Sequence, residues 1–212
     1  MTNLRDLIAD IGAELDGSVP SNLPFLIRSV EQELWQDLWF IAPKQEVDFT
    51  FGSGINRQNL STQLTNPERV LFLESVIRLR DGVSLRRVSL SQFNRMEARG
   101  LSGVPEFVVF EPEMDLLGIY PVPNDTENVR LVVRVRPEPL NENSDETNNP
   151  MLGIGYEVLK WGVLYKRIFN PDKFQYWRLQ FNEAFVRLQQ AVMRKEWSYR
   201  GGTRYHDSEI PY

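Results

Sequence analysis

Three groups of residues have side chains and spacings that could carry chemistry. Gly153-Ile154-Gly155 begins like the glycine turn that cradles a dinucleotide pyrophosphate. Val158 stands where the third glycine belongs, however, and no strand-like run precedes it. Gly100-Leu101-Ser102-Gly103 falls one residue short of the elbow that presents a nucleophilic serine. The chain has one histidine, His206, near its far end, so a serine triad has no base at hand. Glu111, Glu113 and Asp115 could share a cation, but they lack the glycine and the spacing of a calcium loop. A solvated turn is the simpler reading, and the same holds for Glu142, Asp145 and Glu146. There is no cysteine, which excludes disulfides, thiolate zinc sites and cysteine nucleophiles. The expectation is a protein without catalytic residues, cofactor or metal.

The arginines are the next group. Arg130, Arg134 and Arg136 share one strand face, and Arg86 with Arg87 flank it in an expected hairpin. Like charges side by side on a sheet repel, so they need acids, phosphates or water. They read either as a subunit-contact or nucleic-acid stripe, or as a solvated face paired with local acids. Aromatic residues do not interleave with them, which disfavours stacking on single strands. Trp35, Trp39, Trp161, Trp177 and Trp197 lie on helical stripes, where core packing is the default reading. Apolar bands that wrap past one face mark an interface, which makes Trp161 and Trp177 candidate subunit contacts.

The elements that would position these residues fall into helices, then strands, then helices. Leu4, Leu7, Ile8, Ile11 and Leu15 form one stripe, with Asn3 and Asp6 at its start and Gly17 at its stop. A second helix begins near Ser21 or Asn22, tolerates Pro24 in its first turn, carries Ile27, Val30, Leu34, Leu38 and Ile41, and ends at Pro43. Val47, Phe49 and Phe51 alternate as in a half-buried strand. Asp81-Gly82 between residues 76–80 and 83–87 is a strong hairpin signal, since both turn residues would take positive φ. Ser89 caps a short helix with Phe93 and Met96, closed by Gly100. Strands follow over 107–111, 116–120 and 128–136. Residues 137–150 read as a polar loop. Helix returns near Gly155 with Ile154, Val158, Trp161, Tyr165 and Ile168. It breaks at Asn170-Pro171-Asp172 and resumes with Phe174, Trp177, Phe181, Ala184, Leu188 and Ala191. Two antiparallel helices along a seam are expected. Gly201 and Gly202 form a hinge before an arm ending in Ile210, Pro211 and Tyr212.

The fold class is therefore α+β: a helical bundle from amino- and carboxy-terminal helices, an inserted antiparallel β-sheet domain and an extended carboxy-terminal arm. The expected division is 1–43 amino-terminal helices, 44–140 β domain, 141–152 linker, 153–198 carboxy-terminal helix pair and 199–212 arm. With 212 residues, 42% hydrophobic and 25% charged, the chain can bury a sizeable core. No apolar run approaches the ~20 residues that cross a bilayer, and the first residues lack the parts of a signal peptide. Synthesis in the cytosol is expected. A net charge of −5 argues against a general polyanion binder.

Several phrases resemble the portal-tail adaptor proteins of tailed bacteriophages. They are Gln32-Glu33-Leu34-Trp35, Arg78-Leu79-Arg80-Asp81-Gly82, Leu85-Arg86-Arg87-Val88, Gly103-Val104-Pro105-Glu106-Phe107 and Gly118-Ile119-Tyr120-Pro121-Val122-Pro123. Val129 to Arg134, Tyr156 to Tyr165, Asn170-Pro171-Asp172 and Trp177 to Ala184 add to them. Residues 52–66 and the tail match nothing in that pattern. The resemblance implies a head-tail connector in the virion, made in the host bacterial cytoplasm. It implies a homododecamer ring that binds the portal protein, closes the head vertex after packaging and presents a surface to a tail or nozzle protein. Double-stranded DNA would pass through its lumen without sequence-specific binding, during genome ejection included, and no membrane is involved. It also implies that the arm, with Arg204, Tyr205, Ile210, Pro211 and Tyr212 beyond the Gly201-Gly202 hinge, engages the portal. The rival reading is a nucleic-acid-binding module using Arg86, Arg87, Arg130, Arg134 and Arg136.

Overall fold

The structure, a computed structural model, describes residues 2–200, with side chains as far as Arg194. The arm and its hinge, Gly201, Gly202, Arg204, Tyr205, Ile210, Pro211 and Tyr212, lie outside the described residues. The chain divides into two compact units, residues 1–34 with 138–212, and residues 35–137. Residues 35–43, expected with the amino-terminal helices, cluster with the β unit, and 138–140 cluster with the helices.

The helical unit starts with α1 (Leu4–Glu14), whose capping box joins Asn3 and Asp6. Gly17, at φ 81°, sends its N–H back to the carbonyl of Gly12 and stops the helix. Leu4, Leu7 and Ile11 are buried. Helix α2 (Leu23–Asp37) ends well before Pro43, and a separate 3-10 turn covers Trp39–Ile41. On its helical-unit portion, Leu23, Ile27, Val30 and Leu34 are fully enclosed. Helix α4 (Tyr156–Arg167) follows a loop, and α5 (Phe174–Arg200) follows a turn in which Asn170 accepts from the N–H groups of Asp172 and Lys173. The short helix α3 (Leu90–Glu97) belongs to the β unit.

Helix α4 is the centre of its unit. The expected stripe captured Val158 and Trp161 but placed Ile154 inside, where it is exposed. Leu159, Gly162, Val163 and Leu164 are also buried, so α4 is covered on nearly all sides. Gly162 is where neighbours come closest: a Cβ there would meet Val30 at 3.2 Å and Phe181 at 3.3 Å.

The β unit holds two sheets rather than one. The first orders β1 (Lys44–Phe51), β7 (Glu127–Val135) and β3 (Val70–Arg78), all antiparallel. The second orders β2 (Arg57–Asn59), β6 (Leu116–Tyr120), β5 (Phe107–Glu111) and β4 (Arg86–Arg87). The β4–β5 pair is parallel, which corrects the expectation of a purely antiparallel domain. Alternating Val47, Phe49 and Phe51 and Val129, Leu131 and Val133 face Val108, Phe110, Leu117 and Ile119 in one shared core.

The hairpin is also different. Only Gly82 takes positive φ, at 72°, so the tight two-residue turn does not form. Arg78 donates to the carbonyl of Val83 across the wider loop, and one bridge joins Ile77 to Ser84. Arg78 holds that loop through Asp81, at 2.9 and 2.6 Å, and through the carbonyl of Pro105. The chain then leaves for the second sheet.

On the outer side of that sheet, α3 with its Ser89–Gln92 capping box lays Phe93 against Val109 and Tyr120. Gly118 makes this possible, since a Cβ would meet Phe93 at 2.7 Å and Val109 at 2.8 Å. Gly118→Ala is expected to cost about 1–3 kcal/mol through overpacking. A denaturation midpoint equal to that of the parent would show that α3 can shift freely.

Candidate interaction surfaces

The arginines do not assemble into one stripe. Arg86 and Arg87 lie on β4, in the second sheet, while Arg130 and Arg134 lie on β7 in the first. Arg136 follows the end of β7, and its N–H donates to the carbonyl of Arg69. Arg130 meets Asp48 directly across the register, at 2.7 and 2.9 Å, with Glu46 at 3.4 Å. Arg134 is only 9% exposed and donates to Glu74 at 2.5 Å and to the carbonyl of Ala42 at 2.8 Å. The partners in this structure are acids of the same chain, Asp48, Glu46 and Glu74. Cross-strand pairing explains this, since β1 and β3 flank β7 and bring Asp48 and Glu74 beside it. Arg86 and Arg87 lie over Phe107 and Phe110, each 5.9 Å from the ring centroid, so the aromatic neighbours absent from the sequence are supplied by β5.

These contacts set the acid response of the β unit. Burial alone would raise the Glu74 carboxyl, but hydrogen bonds from Lys44 and Arg134 outweigh it and hold the group below its ordinary 4.5. Arg130 holds Asp48 low, and Arg57 with Asn56 does the same for Glu97. A carboxyl lowered by folding contributes stability above its unfolded value and loses it as pH falls through the folded one. The denaturation midpoint of the β unit is therefore expected to be flat near neutrality and to drop below pH 4.5. Glu74→Gln should make that drop shallower; an unchanged acid limb would show that Glu74 is not a contributor.

Trp161 and Trp177, candidate subunit contacts, are enclosed by their own helical unit. Trp161 donates to Glu157 at 2.8 Å and stands edge-on to Tyr176. Trp177 is fully buried and its indole N–H meets no acceptor among the described residues, so its part there is volume. Beside them, Ile154, Val158, Trp161, Ala184 and Leu188 line a shallow apolar groove of about 310 Å³ between α4 and α5.

The groups screened for chemistry are occupied structurally. Asp115, at φ 51°, accepts from the N–H and hydroxyl of Ser61 at 2.6 and 2.5 Å. Asp145 accepts from Thr147 and Asn148 in a local turn. Gly153-Ile154-Gly155 leads from a 3-10 turn into α4 with no strand before it. Among the described residues, no group of three or more His, Asp or Glu is placed to hold a metal ion, and no helix is long and apolar enough to cross a membrane.

Two features were missed by sequence reasoning. Glu31, on α2, is buried and accepts from the N–H of Leu140 at 3.1 Å and the amide of Asn149 at 2.8 Å. It fastens the 138–150 loop, and its only signal was a carboxylate at a position adjoining the apolar stripe. The other is a second apolar line on α5, formed by Leu179, Val186 and Met193, all exposed.

Among the described residues, the side chains singled out from the sequence are held in ion pairs, turns and helix packing. The chain belongs to the SU10 adaptor protein family, whose model matches residues 2–204 and so takes in all but the last residues of the sequence. It is a phage adaptor, a structural component of the virion. None of the curated proteins matches it.

Proposed function

We propose that this chain forms the adaptor ring between head and tail, twelvefold like the portal it binds. It closes the head vertex after DNA packaging, offers its other surface to tail proteins and lets the genome pass through its lumen. It is made in the host cytoplasm before joining the virion. The observation that carries the reading is the family match across residues 2–204. Two physical facts support it. The net charge of −5 suits a conduit, since phosphate contacts would supply most of the non-specific affinity that slows DNA. Internal ion pairing of Arg130 and Arg134 removes two candidates for such contacts.

The arm with Arg204, Tyr205, Ile210, Pro211 and Tyr212 is assigned to the portal. Each large side chain, if fully buried, contributes about 1.5–3 kcal/mol before ordering costs. Repetition around a ring multiplies modest affinity. Deleting residues 201–212 is expected to leave the melting temperature and helical signal unchanged while abolishing co-sedimentation with portal. Electron microscopy of the full chain mixed with portal tests the whole reading. Rings seated on the portal support it, and a chain indifferent to portal overturns it.

A further inference from the structure

Among the described residues, the outward face of α5 has no partner within the helical unit. Core contacts run through Trp177, Ala184 and Leu188 on one side of this helix. Leu179, Val186 and Met193 recur every seven residues on the opposite side, 54%, 48% and 61% exposed. Exposed Gln175, Asn182 and Gln190 accompany them, so the line itself carries no charge. Exposed Arg178, Arg187 and Arg194 flank it, against one acid, Glu183. A helix apolar on two opposite faces is expected to be covered on both.

The complementary surface lies on α1. Its outward face carries Ala9 and Ala13, small enough for close helix approach, with exposed Asp6 beside them and Asp10, which also accepts from Tyr156 of α4, at its edge. One basic residue, Arg5, shares that face. The two faces also point in opposite directions. Helix α4 reaches α1 through Tyr156 to Asp10, at 2.8 Å, and Lys160 to Glu14, at 3.4 Å. It reaches α5 through Trp161 and Tyr165, on its other side. A patch and its complement on opposite sides of one molecule make a head-to-tail contact, the type that repeats from copy to copy.

We infer that the α5 face of one copy docks on the α1 face of the next, with Leu179, Val186 and Met193 over Ala9 and Ala13 and the arginines beside Asp6 and Asp10. Pairing α5 with a second α5 would instead set Arg178, Arg187 and Arg194 against their own copies. The inference rests on the ring reading only in requiring several copies.

The chain contains no cysteine, so single thiols can be placed without background. Two full-length variants, Ala13→Cys and Val186→Cys, are oxidised mildly, each alone and mixed, with and without portal. A cross-linked dimer in the mixture and none in either variant alone is the expected result. Cross-linking of Val186→Cys with itself would show a two-fold contact and overturn the proposal. So would the absence of any cross-link in both conditions; the seam would then belong to a tail protein. Leu179→Asp with Val186→Asp, both at exposed positions, is expected to weaken self-association about 100-fold while the fold persists. Self-association equal to that of the parent counts against the seam. Portal seating of the unaltered chain is read separately, so rings without the cross-link sink this contact alone.

Discussion

Replacing Glu31 by Ala is expected to destabilise the helical unit by about 3–5 kcal/mol, from two buried hydrogen bonds to a charged acceptor. The carboxylate is 1% exposed and takes Leu140 and Asn149 on its two oxygens. Asn149 in turn accepts from the N–H of Met151 at 2.9 Å, and its amide also reaches the carbonyl of Glu138 at 3.4 Å. Both ends of the loop therefore depend on one side chain. Without it, the buried N–H of Leu140 loses its acceptor, the Asn149 amide keeps only the long contact to Glu138, and Leu140, Met151 and Leu152 lose the frame that keeps them enclosed. A melting temperature lowered by roughly 10–20 °C is expected for the helical unit. Glu31→Gln should lose about half as much, because one oxygen still accepts while the new amide confronts the N–H of Leu140. An Ala variant that melts within a degree or so of the parent, on the scale of experimental scatter, would mean the loop is held by its apolar residues alone.

The second large effect concerns Arg134. Arg134→Ala should cost about 3 kcal/mol, because Glu74 and the carbonyl of Ala42 lose a buried donor. Reversal to Glu should cost more, since it sets two carboxylates together where Lys44, at 2.7 Å from Glu74, is the remaining cation. Arg134→Lys should fall between Ala and the parent, because an ammonium cannot span both acceptors as the guanidinium fork does. The double variant with Glu74→Ala should cost clearly less than the sum of the two single variants. Full additivity would show that the pair does not interact. This changes how an assembly assay is read: a drop in ring yield with Arg134→Glu is to be compared with the fold of the β unit before it is assigned to a subunit contact.

Much of the framework was legible in the sequence because it rests on local rules. Asn3 with Asp6, and Ser89, start their helices as expected, and each closes a capping box, Ser89 with Gln92. The strands carrying Val47, Phe107, Leu116 and Val129 appeared within a few residues of their expected limits. The failures are non-local. Asp81-Gly82 looks like a tight hairpin, yet Arg86 and Arg87 pair in parallel with β5, a choice set by the sandwich core rather than by the turn. Arg130 and Arg134 read as a stripe because their neutralising acids, Asp48 and Glu74, lie on other strands far along the chain. Glu31 could not be distinguished from a solvated helix residue without the loop that returns to it. Ile154 shows the reverse error: apolar and well spaced, it is left outside.

The division of the chain at residues 34 and 138 has a consequence for synthesis. Every strand of the β unit has left the ribosome once residue 137 has emerged, whereas α1 and α2 must wait for α4 and α5, which follow it. The inserted unit is thus expected to fold first, while the opening helices, with their apolar stripes uncovered, stay without a core until α4 and α5 have emerged. Nascent chains halted before residue 156 should therefore expose Leu7, Ile11, Ile27 and Val30 to chaperones, and completion of the last helix is what ends that exposure.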